Sequence, residues 1–314
     1  MRTRRGRALA VTAAAGGGLL GTVVLPAAAA PAYPVEYHFA VGYPAGFLTP
    51  DVSPPGANDW SCRPSAAHPE PVVLVHGTAE NMNDNWRGAA PLLADSGYCV
   101  YAFDYGGAAG APMQGLGPIE DSARQLSAFV DTVLASTRAA KVDLVGHSQG
   151  GGVLPRYYLK NDGGAAKVAK LVGITPSNEG TTLDGLSALA LELRLVKRAN
   201  AVLDTACPAC VEQEAGSPFI AALDAGGATL PGVEYTVIAS RFDEVITPYT
   251  NSYLPPGPHV TNLTVQDQCV ADATDHLEGP YDPIALADVR NALDPAHPVP
   301  VPCKPVLPVL GPLL

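Results

Sequence analysis

One serine in this sequence lies in a setting that suits a covalent nucleophile. Ser148 is the central residue of a G-x-S-x-G pattern that runs from Gly146 to Gly150. A short apolar run, residues 142–145, precedes the pattern, and a stretch able to form a helix, residues 150–160, follows it. A serine on a sharp turn between a strand and a helix exposes its hydroxyl, and flanking glycines prevent collisions across that turn. The context therefore predicts a nucleophilic serine, whereas the bare pattern also fits an incidental glycine-rich loop.

A serine nucleophile needs a histidine as general base. In a doubly wound, mostly parallel sheet, which the elements described below predict, the base comes after the nucleophile in the chain. Three histidines follow Ser148, namely His259, His276 and His297. His259 directly precedes a predicted strand, which places it at the opposite end of the sheet, and His297 lies among prolines near the end of the chain. His276 follows the last predicted strand and precedes the last predicted helix. We therefore predict His276 as the general base.

The third member of such a triad is a carboxylate that orients the histidine. Asp243 comes four residues after the predicted strand 235–239, at its carboxyl end. Glu244 is the neighbouring competitor, and the alternative for both is a solvated acidic turn. We predict that Asp243 is the acid, with Glu244 pointing elsewhere.

Acyl transfer also requires two backbone N–H donors for the oxyanion. The residue after the nucleophile, Gln149, supplies one donor, and we assign the other to Thr78, in the loop that follows the first predicted strand. Gly77 allows that loop to turn. His76 and His147 are interpreted as structural residues of the loop and of the turn around the serine.

Strand and helix patterns alternate along the chain from residue 72. Apolar runs and β-branched residues predict strands at residues 72–75, 98–103, 142–145, 168–174, 235–239 and 260–265. Helical spacing predicts helices at residues 83–95, 119–137, 150–160 and 282–293. Alternation of this kind gives an α/β fold with a doubly wound, mostly parallel sheet. Functional groups in such sheets collect beyond the carboxyl ends of the strands, where Ser148, Asp243 and His276 are predicted to lie.

Three segments do not follow this alternation. Residues 33–71 are rich in Pro, Gly and Asn, and we interpret them as an ordered wrap around the domain. Residues 181–201 form a leucine-rich insertion, either a packed core helix or a lid over an acyl pocket. The proline-rich tail, residues 295–314, is predicted to run extended along the surface.

The N-terminal 29 residues have the pattern of a secretory signal peptide. Four arginines precede an Ala/Gly-rich apolar stretch, which ends in small residues suited to cleavage after Ala29. Removal of the four arginines changes the formal net charge from −11 to −15. This acidity excludes nucleic acid and anionic membranes as expected partners. The remainder, of about 285 residues, suits one large domain, and no other segment is apolar for long enough to cross a bilayer.

The six cysteines all follow this leader, at Cys62, Cys99, Cys207, Cys210, Cys269 and Cys303. An even number in an exported chain predicts three disulfides, although spacing alone leaves many pairings open. The C-x-x-C pair at 207–210 lacks a second close pair or nearby histidines, so a local disulfide is favoured over a metal site. We expect no metal and no cofactor.

Several segments together resemble the class 2 lipases secreted by actinobacteria, within the α/β-hydrolase superfamily. They match in order and spacing and are V-L-V-H-G-T (73–78), G-Y-C-V (97–100), V-G-H-S-Q-G-G (145–151), P-R-Y-Y-L (155–159), C-P-A-C (207–210), D-E-V-I-T-P-Y (243–249) and D-H (275–276) before Y-D-P-I-A-L (281–286). The resemblance covers nearly all of residues 33–303. It implies a triad of Ser148, Asp243 and His276, which agrees with the reasoning from chain order. It also implies the disulfides Cys62–Cys99, Cys207–Cys210 and Cys269–Cys303.

The expected organisation is a signal peptide at residues 1–29, an α/β-hydrolase catalytic domain at 30–303 and a C-terminal tail at 304–314. The resemblance implies a secreted, monomeric serine lipase or esterase that acts on triacylglycerols or other esters at an oil–water interface, without stable insertion into a membrane. Short-chain carboxylesterases, polyester hydrolases and acyltransferases use the same triad. Catalytically silent binding proteins can have the same fold. These alternatives remain because the fold does not determine the substrate.

Overall fold

Six parallel strands form the centre of the molecule, seen here in a computed structural model that describes residues 32–182 and 206–313. The strands are β1 (Val72–Val75), β2 (Val100–Ala102), β3 (Val142–His147), β4 (Val168–Ile174), β5 (Glu234–Ala239) and β6 (Val260–Thr264). Their order across the sheet is β2-β1-β3-β4-β5-β6, and every neighbouring pair is parallel. The predicted α/β class is confirmed.

The helices cover both faces of this sheet, and β1 and β3 are buried on both sides. They are α1 (Phe39–Phe47), α2 (Met82–Asn85), α3 (Ala89–Asp95), α4 (Ile119–Thr137), α5 (Val153–Asn161), α6 (Pro208–Glu212), α7 (Pro218–Asp224), α8 (Val265–Gln268) and α9 (Pro283–Leu293). Residues of α4 and α5 contribute to one buried cluster, and residues of α3 and α9 contribute to the other. Short 3-10 helices lie at Ser148–Gly151, Gly164–Ala166, Tyr249–Ser252 and Gly279–Tyr281.

Three predicted elements differ from those in the structure. The single helix predicted at residues 83–95 is two helices, because the backbone leaves the helical conformation at Trp86, after α2. Asn81 caps the start of α2 through the Asn83 and Asp84 amides. The strand predicted at 98–103 is reduced to Val100–Ala102. The strand predicted at 142–145 extends to His147, so it runs directly into the serine.

The N-terminal segment is more regular than the predicted wrap. It contains α1, which is apolar along almost its whole length and packs against the short helix α2. Gly46 permits this close approach, since a Cβ there would lie 2.3 Å from the Asp84 Cα. The tail is also less peripheral than predicted, because Val306 is buried and pairs with Asp272, and the Ala40 amide donates to the Val309 carbonyl.

Three disulfides hold the outer segments to the sheet, with the pairing that the resemblance implies. Cys62 is bonded to Cys99 beside β2, Cys207 to Cys210 in α6, and Cys269 to Cys303 at the end of α8. In the described part of the chain, no helix is long and apolar enough to cross a bilayer. The leucine-rich insertion predicted at 181–201 lies outside the described residues from position 183 onward, as does the predicted leader.

Candidate active site

The predicted nucleophile lies at the carboxyl end of the central strand β3. Ser148 begins the 3-10 helix that follows the strand without an intervening loop. Its φ is +54°, in the left-handed region that residues other than glycine seldom adopt. This backbone turns the chain sharply, so the side chain projects from the edge of the sheet.

The glycines of the pattern are required by close contacts. A Cβ on Gly146 would lie 1.8 Å from the Gly150 carbonyl oxygen. A Cβ on Gly150 would lie 2.2 Å from the carbonyl oxygen of Val75 in β1. Both distances are far below contact distance, so the turn can form only when these positions have no side chain.

The predicted base and acid are hydrogen-bonded to each other. His276 Nδ1 lies 3.0 Å from Asp243 Oδ2, and both side chains are almost fully buried. The second oxygen, Oδ1, accepts hydrogen bonds from the Val245 and Ile246 amides over 2.9 and 2.7 Å. Asp243 is therefore held by its own loop in a single orientation toward the imidazole.

Glu244 has a different partner from its neighbour. Its Oε2 accepts a hydrogen bond from the main-chain amide of His276 over 3.1 Å, so it holds the loop and leaves the ring to Asp243. Burial raises the pKa of the Glu244 carboxyl above its ordinary value, an effect opposed by the hydrogen bond from the His276 amide.

The electrostatic surroundings of His276 favour its charged form. Burial alone would lower the pKa of the imidazole, but the Asp243 carboxylate, with smaller effects of Glu80 and Glu244, raises the pKa above its ordinary value. This is the balance expected of a base that must accept a proton and hold it during a reaction.

Ser148 and His276 share one cavity of about 480 Å³. Within the described residues, no hydrogen bond joins the Ser148 hydroxyl to the imidazole, and such contacts are often loose in the absence of a substrate. With Nδ1 donating to Asp243, the other ring nitrogen is left to act as the acceptor. The walls of the cavity are mainly apolar and include Phe39, Tyr43, Val245, Ile246 and Leu277.

Thr78 and Gln149, the predicted oxyanion donors, lie side by side, and Thr78 lines the cavity. The Thr78 hydroxyl donates to Gln149 Oε1 over 2.7 Å, which ties the loop after β1 to the start of the 3-10 helix. In the described part of the chain the Thr78 amide has no acceptor. The Gln149 amide belongs to the first turn of its helix, where amides have no partner within the helix.

Gln213 is a third member of this cluster that sequence reasoning missed. Its Nε2 donates to Gln149 Oε1 over 2.8 Å and to Thr78 Oγ1 over 3.0 Å. Ser177 donates in turn to Gln213 Oε1 over 2.8 Å. Gln213 directly follows α6, the helix that contains the Cys207–Cys210 disulfide, and no local pattern marks it in the sequence.

The remaining histidines have structural partners. His76 Nδ1 lies 2.8 Å from the Gly77 carbonyl oxygen, and the ring stacks on Tyr105. His147 is buried behind the serine, with Glu80 as its partner. His259 and His297 pair with surface carboxylates away from the cavity. No group of three or more His, Cys, Asp or Glu side chains in the described ranges 32–182 and 206–313 could hold a metal ion.

Comparison with known proteins identifies a family and a fold. The family described as "Lipase (class 2)" matches residues 69–282. Two proteins named triacylglycerol lipase, from Pseudarthrobacter phenanthrenivorans and Burkholderia plantarii, are each 42% identical over 91 residues. These matches cover 27% of this chain and 27% and 24% of the two relatives, so the chain spans only about a quarter of their length.

Among solved structures, lipase B of Aspergillus fumigatus superposes with a TM-score of 0.60 and 20% sequence identity. The match covers 80% of this chain and 57% of the fungal chain. At that identity the likeness is one of fold.

Proposed function

The chain belongs to the class 2 lipase family, and we propose that it is a secreted serine hydrolase that cleaves carboxylic esters, with triacylglycerols as the substrate class. The observation that carries this proposal is the Asp243–His276 hydrogen bond of 3.0 Å beside a cavity that the serine of the turn also lines. A serine with a positive φ, a buried imidazole and an anchored carboxylate match the three roles of acyl transfer.

The reaction follows from these roles. Ser148 Oγ attacks the ester carbonyl carbon while His276 Nε2 takes the hydroxyl proton. The imidazolium then gives that proton to the leaving alcohol, and an acyl group remains on Ser148. Water, deprotonated by His276, attacks the acyl-enzyme and releases the acid and the free serine. Asp243 keeps Nδ1 protonated, so that Nε2 faces the reacting atoms, and stabilises the transient positive charge.

The oxyanion of each tetrahedral intermediate would be bound by the Thr78 and Gln149 amides. The hydrogen bonds among Thr78, Gln149 and Gln213 keep these two amides in place before substrate arrives. Such preorganisation is the largest contribution to rate in many acyl-transfer enzymes, because the donors need not reorient during the reaction.

The walls of the cavity support an acyl chain as the bound group. Phe39 and Tyr43 of α1 and Leu277, beside His276, present apolar surface next to the serine. Burial of an aliphatic chain contributes roughly 0.8 kcal/mol per methylene group. The relatives named triacylglycerol lipase support the same substrate class.

Export is supported by the three disulfides and by the leader pattern. Disulfides form and persist outside the reducing cytosol. All six cysteines are paired in the described structure. Together with residues 1–29 of the sequence, this supports a secreted protein.

The nucleophile can be tested with Ser148→Ala. We expect hydrolysis of p-nitrophenyl butyrate to fall by about 10³-fold or more with an unchanged melting temperature, because the methyl group fits the turn. A serine-directed phosphonate should label Ser148 in the unchanged protein and label nothing in the variant. Ser136→Ala, on α4 away from the cavity, serves as the matched control for loss of a hydroxyl. Substantial turnover by Ser148→Ala, or labelling of a different serine, would contradict the proposal.

Substrate preference needs a separate measurement. A series of p-nitrophenyl esters of increasing acyl length, together with emulsified triolein, compares soluble short esters with a triacylglycerol. We expect activity on long chains and on the emulsion. Activity confined to chains of about four carbons or fewer would replace the lipase assignment by a short-chain esterase, leaving the triad unaffected.

A further inference from the structure

A second carboxylate–imidazole pair lies beside the proposed triad. Glu80 Oε2 is 2.9 Å from His147 Nδ1, and both side chains are almost completely buried. Glu80 follows β1, whereas His147 ends β3, so the pair joins two strands at the edge of the sheet where the cavity lies. Glu80 and His147 also line this cavity. The reaction described above assigns neither residue a role.

The histidine of this pair holds the main chain of the proposed base. His147 Nε2 lies 3.1 Å from the carbonyl oxygen of His276, and the two imidazole rings are 4.8 Å apart between centroids. A carbonyl oxygen only accepts hydrogen bonds, so Nε2 must carry the proton. Because His147 is also the residue before Ser148, it connects the backbone of the nucleophile to the backbone of the base.

The carboxylate of this pair holds the loop that carries an oxyanion donor. Glu80 Oε2 accepts a hydrogen bond from the Gly77 amide over 3.0 Å, and Gly77 is the residue before Thr78. The approach is so close that a Cβ on Gly77 would lie 2.4 Å from Glu80 Oε2 and 3.0 Å from His147 Nδ1. One oxygen atom therefore contacts both the oxyanion loop and the histidine that holds His276.

The Glu80 carboxylate is the acceptor in the hydrogen bonds of this pair. Burial alone would raise the pKa of Glu80, but the imidazoles of His147, His276 and His76 bring it below its ordinary value, so the carboxylate is ionised. An ionised carboxylate only accepts, and so Nδ1 of His147 must also carry a proton. The amide of Asn85 is 3.0 Å from the same nitrogen. The Asn85 oxygen has no hydrogen-bond partner among the described residues and would face that proton after a rotation of the amide group.

We propose that Glu80 and His147 are positioning residues that align the two halves of the active site, His276 through its carbonyl and Thr78 through the Gly77 amide. The proposal rests on the serine hydrolase function proposed above. The pair acts on the main chain of both segments. Its effect should therefore appear in kcat, because alignment matters most in the transition state.

Glu80→Gln is the informative variant. A glutamine oxygen at the same position can still accept from the Gly77 amide and from His147, but it carries no charge, so both hydrogen bonds become weaker. We expect kcat for p-nitrophenyl butyrate to fall about tenfold, with KM changed less than about twofold. Glu80→Asp keeps the charge but is one methylene shorter, and its kcat should lie between those of Glu80→Gln and the unchanged protein.

A double-mutant cycle with His147→Asn separates positioning from a general loss of folding. If Glu80 acts through His147, the double variant should lose much less than the product of the two single losses. All rates are divided by the concentration of sites titrated with the phosphonate, so unfolded protein does not count. Asp288→Asn, which removes a buried carboxyl on α9 away from the cavity, is the control and should keep its kcat.

The outcomes distinguish this proposal from the function on which it rests. An unchanged kcat in Glu80→Gln, or losses that multiply in the double variant, would overturn the positioning role while Ser148→Ala remains inactive. Full activity of Ser148→Ala would instead overturn the proposed function. A drop in titratable sites without a change in kcat per site would show that Glu80 serves only folding, which also contradicts the proposal.

Discussion

Three of the six non-glycine residues with positive φ in the described part of the chain lie at the edge of the sheet that carries the cavity. Ala79 after β1, Ser148 after β3 and Thr175 after β4 have φ values of +63°, +54° and +42°. Such conformations cost about 1–3 kcal/mol each and persist where the surrounding structure imposes them. Their position after three adjacent strands indicates that packing of the sheet supports the strained turns from which the functional groups project.

The neighbouring acids Asp243 and Glu244 contact different parts of His276, and this difference gives a prediction at the residue scale. Asp243→Asn keeps the shape of the side chain but removes the charge that stabilises the imidazolium, so we expect kcat to fall by up to about 10⁴-fold. Glu244→Gln can still accept the hydrogen bond from the His276 amide and should lose less than about tenfold. Steady-state kinetics on p-nitrophenyl butyrate compares the two directly. The reverse order of losses would assign the acid to Glu244.

The glycines of the turn give a second prediction. Gly150→Ala would bring a methyl group to 2.2 Å from the Val75 carbonyl oxygen, so β1 and the turn must move apart. We expect a loss of about 2 kcal/mol or more in the free energy of unfolding. Gly257→Ala is the matched control, because its added Cβ meets only Val260 Cγ2 at 3.8 Å. Equal denaturant midpoints for the two variants would contradict the steric account.

At the scale of secondary-structure elements, two short helices contribute residues to the cavity at the carboxyl ends of the strands. The parallel strands bring the loops after β1, β3, β5 and β6 to one edge. Thr78, Ser148 and His276 line the cavity there, and Asp243 is hydrogen-bonded to His276. Helix α1 forms an apolar wall of the cavity. Gln213, at the end of the disulfide-linked helix α6, is hydrogen-bonded to Thr78 and Gln149. Neither helix belongs to the alternating strand–helix pattern.

The leucine-rich insertion carries a prediction that stays open, because residues 183–205 lie outside the described structure. We predict that residues 181–201 border the acyl pocket and cover it in water. Replacing Leu189 and Leu193 by serine should reduce activity on emulsified triolein much more than on a soluble short-chain ester, with little change in melting temperature. Equal losses on both substrates, accompanied by a large drop in melting temperature, would identify a core helix instead.

Buried carboxyls make the stability of the whole molecule depend on pH. Burial raises the pKa of Asp84 and of Glu278 to about 9, and raises the pKa of Asp143 to about 7. Each group therefore keeps its proton in the folded protein but releases it at about pH 4 in the unfolded chain. Between the unfolded and the folded pKa, unfolding releases protons from these carboxyls. Their contribution to the free energy of unfolding is therefore greatest below about pH 4 and is lost as the pH rises toward 9.

The pH prediction can be tested with Glu278→Gln. The unchanged protein should have a higher melting temperature at pH 5.5 than at pH 9, by several degrees, since each kcal/mol corresponds to roughly 2–4 °C. The variant lacks one of the groups responsible, so its melting temperature should fall less over the same interval. Glu120→Gln, at an exposed position, is the control and should keep the full slope. A melting temperature that rises from pH 5.5 to pH 9 would refute this account.

The sequence by itself determined the order of the elements and the identity of the central serine turn. Helix Ile119–Thr137 and strand Val168–Ile174 have the predicted bounds, because apolar spacing is a local property of each segment. The α/β class followed from the alternation of such segments. Asp243 and His276 could be predicted from their positions after β5 and β6, because the carboxyl ends of parallel strands lie at the same edge of a sheet.

Only the tertiary structure decided which side chains support that edge. Glu80 contacts His147 across 67 positions of the chain, and Gln213 contacts Thr78 across 135. No periodicity relates residues so far apart, since their meeting depends on how α2, α6 and the strands pack in three dimensions. The break between α2 and α3 was also missed, because the backbone leaves the helix at Trp86 and residue spacing does not mark that position. A local pattern can identify the reacting groups, whereas their alignment depends on the packing of distant segments.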